Sequence, residues 1–127
     1  MHIETLKQMA LDALEELKAR DVSTLDVAKL TDVTDVMLIA SATSTRHLAA
    51  LAQNVVEKAK AQGLHPRGVE GGNSADWVLV DLGDVVVHVM LPEARTLYDL
   101  ERLWADLPAE GSVEQLRERV EEPQASR

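Results

Sequence analysis

Side chains able to do chemistry gather at four places in this chain. Ser41, Thr43, Ser44 and Thr45 precede a helical stretch, and hydroxyls at a helix N-terminus can hold a phosphate. No Gly-x-x-x-x-Gly-Lys pattern accompanies them, and capping by Ser44 accounts for the run. Glu70-Gly71-Gly72-Asn73 could cradle a phosphate as well. It lacks the lysine and the following helix that such a loop uses, so it reads as a connection. His2, His47, His65 and His88 have no i, i+3 or i+4 partner among themselves, so their spacing marks no metal site. Asp26, Asp35, Asp76, Asp81 and Asp84 could supply paired carboxylates for magnesium, but none forms an Asp-x-Asp on one strand face. With no cysteine, thiolate metal sites and cysteine nucleophiles are excluded. The expectation is a protein that is not an enzyme and carries no cofactor and no metal.

What remains is a set of contact-forming residues over 76–104. Two strand-like runs, 76–82 and 85–91, flank Gly83-Asp84, a glycine-first pair suited to a two-residue hairpin turn. That loop sets Leu82 opposite Val85, Val80 opposite Val87 and Val78 opposite Val89, six aliphatics on one face. On the other face Asp81 meets Val86, Leu79 meets His88, and Trp77 meets Met90. The first face is a core surface. The second is a mixture unsuited to a dry core, and the expectation is an open, partner-binding face with Trp77 exposed and His88 beside it. Residues 93–104 continue as a helix with Leu97, Leu100, Leu103 and Trp104 as its buried stripe and Tyr98 at the margin.

The elements that hold this hairpin follow from the periodicity of the chain. Residues 3–19 read as an amphipathic helix through Ile3, Leu6, Ala10, Leu14 and Leu17. Residues 24–28 alternate like a short strand, and 35–40 form an apolar run suited to a strand buried on both faces. Ser44 caps a second helix with Leu48, Leu51, Val55 and Ala59 on one stripe, ending at Gly63. Residues 65–69 lead into an edge segment because Pro66 and Gly68 limit a central strand. The order α-β-β-α-β-β-β-α implies an α/β (α+β) fold with a sheet of about five strands. Two long helices cover one sheet face and leave the other partly bare. Residues 1–107 make one domain, and 108–127 form a charged, flexible tail.

Charge narrows the partner. With 13 Lys and Arg against 22 Asp and Glu, the chain carries a formal −9 at pH 7. Phosphate would repel it, and no basic patch offsets this, so DNA is excluded and little direct RNA contact is expected. A basic protein fits better. The aromatic residues, Trp77, Tyr98 and Trp104, crowd into one stretch, and Trp and Tyr favour interface centres. No apolar run is long enough to span a bilayer. Met1-His2-Ile3-Glu4 lacks the basic lead and apolar stretch of a signal peptide, so the expected location is the cytoplasm.

Seven segments together resemble the ribosomal silencing factor family, also called the Iojap family. They are Leu25-Asp26-Val27, 35–40, Ser44-Thr45-Arg46-His47, Glu70-Gly71, 76–81, 83–88 and 95–104. The resemblance spans Leu6 to Trp104. It implies a non-catalytic translation regulator that binds universal ribosomal protein 14 on the large ribosomal subunit. Such a factor sterically blocks small-subunit association and represses translation under nutrient limitation. It also implies a single mixed five-stranded sheet with helices, of nucleotidyltransferase-like architecture but without catalytic carboxylates. The family's partner-binding aromatics correspond to Trp77 and Tyr98, with Leu79, His88, Met90 and Arg95 around them. Met90 stands where phenylalanine is frequent in the family. Two alternatives stand beside this reading: a nucleotide-binding or nucleotidyltransferase-type enzyme using Ser44–Arg46, and a homodimer that buries the Trp77 face against its own copy.

Overall fold

The computed structural model describes residues 2–29, 34–71 and 76–99. Helix α1 (Ile3–Glu16) leads into strands β1 (Arg20–Asp26) and β2 (Val36–Ser41), then helix α2 (Thr45–Ala61). Strands β3 (Gly68–Glu70), β4 (Trp77–Asp81) and β5 (Val85–Met90) follow, and α3 (Pro92–Tyr98) comes last. The five strands form one sheet in the order β1-β2-β5-β4-β3. The β2–β5 pair is parallel and the others are antiparallel, so the sheet is mixed, as the family resemblance implies.

The hairpin has the expected register, with Trp77 opposite Met90, Val78 opposite Val89 and Leu79 opposite His88. Gly83 takes φ +93°, which a glycine adopts freely at the first turn position, and the Leu82 N–H closes the turn on the Val85 carbonyl at 2.9 Å. The Asp81 carboxylate accepts from the Gly83 N–H at 2.9 Å, so this aspartate serves the turn. Ser44 caps α2 by accepting from the His47 N–H, and Gly63 follows its C-cap at φ +81°.

Helices α1 and α2 lie together on the face formed by Val78, Val80, Val85, Val87 and Val89. Leu6, Leu14, Leu48, Leu51 and Val55 fill that layer, all 2 % exposed or less. The His47 ring joins the two helices. Its Nδ1 accepts from the Thr43 N–H at 2.9 Å, which leaves Nε2 to donate to the Leu17 carbonyl at 2.6 Å, where α1 ends. Further along, Asn54 donates to the Ala13 carbonyl and to Glu16, and Lys58 pairs with Glu16 at 3.2 Å.

The Lys58 hydrogen bond, then the Asn54 hydrogen bond, then the Lys58 charge hold the Glu16 carboxyl below the usual carboxylate range. A lowered folded-state value adds stability above the unfolded value, and that stability disappears as pH falls through the folded one. The pair is solvent-exposed, so the stabilisation is small. In Lys58→Met, the Glu16 titration followed by carboxyl NMR is expected to move up towards the ordinary carboxylate range. An unchanged midpoint would show that Lys58 is not the cause.

Three expectations are corrected. Strand β1 begins at Arg20 rather than 24 and ends at Asp26 rather than 28, because its register shifts between Arg20 and Ser23 and Asp21 sits at φ +49°. A bulge of this kind breaks the alternation that marks a strand. Helix α3 stops at Tyr98, where Asp99 caps it at φ +48°, instead of running to residue 104. Leu97 is 52 % exposed rather than part of a buried stripe. Helix α3 is held through Ala94 and Arg95, and Leu97 falls roughly 110° away from the middle of that face. Leu100, Leu103, Trp104 and the 108–127 tail lie outside the described residues.

Candidate functional site

The second sheet face, formed by Trp77, Leu79, Met37, Ile39, Val86, His88 and Met90, is not open. Trp77 is 2 % exposed, Leu79 and His88 1 %, and Met90 0 %. The expected exposed Trp77 surface is therefore an internal layer. Two of its buried polar atoms satisfy each other. The Trp77 Nε1–H donates to His88 Nδ1 at 2.8 Å, and the rings lie 5.7 Å apart at a 39° tilt. Each ring supplies what the other lacks, so neither of those atoms is left to be desolvated unbonded. As an acceptor, Nδ1 carries no proton, which makes the ring the neutral Nε2–H tautomer. His88 is held inside the fold as half of a structural pair.

Arg95 leaves α3 and reaches the end of the sheet. Its Nη1 donates to the Asp21 carbonyl at 2.5 Å and to Ser41 Oγ at 3.0 Å, while Nη2 donates to Ser23 Oγ at 2.9 Å. The bulge in β1 is what turns the Asp21 carbonyl into this corner. A recess of about 390 Å³ lies there, lined by Asp21, Ser41, Pro92, Arg95, Thr96 and Asp99. Tyr98 closes α3 one residue before Asp99. The six candidate residues thus divide into four buried strand side chains, one half-buried arginine and the last residue of a short helix.

The structure also gives residues roles that the sequence does not signal. Ser23 and Ser41 receive Arg95, and no sequence signal marks either as a receptor. Exposed Leu97 is masked by its helical spacing with Leu100. The residues weighed for phosphate or metal have other employment: Ser44 caps α2, Asp26 accepts from the Ala28 N–H at 3.2 Å, and Asp81 serves the hairpin turn. Among the described residues, no group of three or more His, Asp or Glu could hold a metal ion. Among them too, no helix is long and apolar enough to cross a membrane.

Comparison with known proteins places this arrangement. The family model described as ribosomal silencing factor during starvation matches residues 1–127. The ribosomal silencing factor of Chromobacterium violaceum is 47 % identical over 104 residues, covering 82 % of this chain and 85 % of that protein. A crystal structure of a Chromobacterium violaceum protein superposes with a TM-score of 0.80 at 47 % identity, covering 83 % of this chain and 88 % of the other. The mouse protein named mitochondrial assembly of ribosomal large subunit protein 1 is 40 % identical over 101 residues, covering 76 % of this chain and 43 % of its own length. With the family model spanning the whole chain and the same fold in a solved relative, this chain belongs to the ribosomal silencing factor family.

Proposed function

We infer that this chain binds universal ribosomal protein 14 of the large ribosomal subunit and, by occupying that surface, blocks small-subunit association and represses translation under nutrient limitation. The observation that carries this reading is the family match over residues 1–127. The mouse relative's name, which couples it to the large ribosomal subunit, supports the same target. Charge supports it too, because a chain carrying −9 is drawn to a basic ribosomal protein and repelled by neighbouring RNA. The action is steric, in the cytoplasm, with no catalytic step and no cofactor.

Burial divides the work among the candidate residues. Tyr98 and Arg95 belong to α3, and Tyr98 acts as the contact at its end. Trp77, Leu79, His88 and Met90 act from beneath as the firm layer under the binding region. Tyr98→Ala is expected to weaken binding to isolated ribosomal protein 14 by about 2 kcal/mol or more, the hot-spot scale. Titration by fluorescence anisotropy checks it, and wild-type affinity in a folded variant removes Tyr98 from the site.

A further inference from the structure

Helix α3 is seven residues long, and a helix this short is not stable without tertiary support. Among the described residues, its holds include buried Ala94, the Leu91 N–H on the Asp76 carbonyl at 2.9 Å, and Arg95 hydrogen bonds to Asp21, Ser41 and Ser23. Arg95 gathers acceptors from the β1 bulge, the body of β1 and the last residue of β2. These three acceptors are neutral, and a planar guanidinium fork can reach all of them at once where a lysine ammonium cannot match the geometry. Ser41 is only 4 % exposed, so it sits beneath the surface. Outside the clamp, Leu97 is 52 % exposed and Glu93, one helical turn before it, is exposed too, while Asp21 and Asp99 stand exposed at the recess that Arg95 lines.

We propose that Arg95 is a positioning residue. It clamps α3 onto Ser23, Ser41 and the Asp21 carbonyl, and so holds in place the exposed residues Glu93, Leu97 and Asp99 that a basic protein partner reads. The inference rests on the ribosomal reading above and assigns parts to Ser23, Ser41 and Leu97. Leu97 supplies the apolar part of the contact, and the exposed carboxylates of Glu93 and Asp99 complement a basic surface. Arg95 is half-buried with its guanidinium turned onto its own sheet, so it acts through the helix rather than by touching the partner.

The test uses the full chain, purified large ribosomal subunits for affinity, and amide hydrogen exchange over residues 93–98. Ser23→Ala with Ser41→Ala is expected to lower affinity about tenfold and to speed α3 exchange by a similar factor, with exchange in β4 and β5 unchanged. Leu97→Ser is expected to lower affinity about tenfold while leaving α3 exchange as in wild type. Adding Arg95→Lys to the double serine variant is expected to cost less than about twofold more, since one clamp is already broken. The inference is overturned if the serine double variant binds like wild type, or if Arg95→Lys loses affinity without any change in α3 exchange. Failure of the wild-type chain to bind the subunit overturns the ribosomal reading and this partner role together. Failure confined to the variants overturns the clamp alone.

Discussion

Trp77→Ala is expected to destabilise the fold by about 3–5 kcal/mol, the range for removing a buried aromatic side chain. The residue is 2 % exposed and donates to His88 Nδ1, so the variant loses packing and also strips that nitrogen of its donor. A loss of this size is comparable to much of the stability of an ordinary domain, roughly 5–15 kcal/mol. Trp77→Phe separates the two contributions, because it keeps most of the ring volume and removes only the N–H. Its expected cost is roughly 1–3 kcal/mol. Urea unfolding of the three proteins measures this. A fully stable Trp77→Ala that merely fails to bind its partner would restore the exposed tryptophan that strand patterning suggested.

Leu38→Ala is expected to cost about 2–5 kcal/mol. Leu38 is fully buried in β2, which lies between β1 and β5, and it belongs to the layer shared with α1 and α2. Because β2 is buried at every position, truncation leaves a cavity lined by both the sheet and the helices. The urea midpoint should fall while the slope stays unchanged, the signature of lost stability without a change in the surface exposed on unfolding. A cost under about 1 kcal/mol would mean that the helical layer does not close over the sheet there. Trp77 and Leu38 point to opposite faces, so the pair reports on both buried layers of the sheet.

How much of this was legible in the residues depends on whether the controlling interaction is local. Gly83-Asp84 fixes a turn, the turn fixes a register, and every cross-strand pair from Trp77–Met90 to Leu82–Val85 follows. Ser44 and Gly63 mark the ends of α2 for equally local reasons. The burial of the second face was hidden because a tryptophan, a histidine and a methionine look like a surface when weighed singly. They look different as a pair. Trp77 and His88 sit diagonally on one face, within reach of each other in the very register the turn dictates. The β1 bulge could not be read, since Asp21 at φ +49° shifts the pattern by one residue. Leu97 was misassigned because its spacing with Leu100 suggests a continuing helix, whereas α3 ends at Tyr98 and is anchored by Ala94 and Arg95. Ser23 and Ser41 were out of reach altogether, for their role depends on an arginine more than fifty positions away.

The proposed role of this chain is to keep ribosomal subunits apart by sitting on the large one. Sucrose-gradient sedimentation of separated subunits, mixed in the presence of the chain, tests it most directly. The chain is expected to co-migrate with the large subunit, and the joined-ribosome peak to fall as its concentration rises. A full joined-ribosome peak with the chain left at the top of the gradient would contradict it.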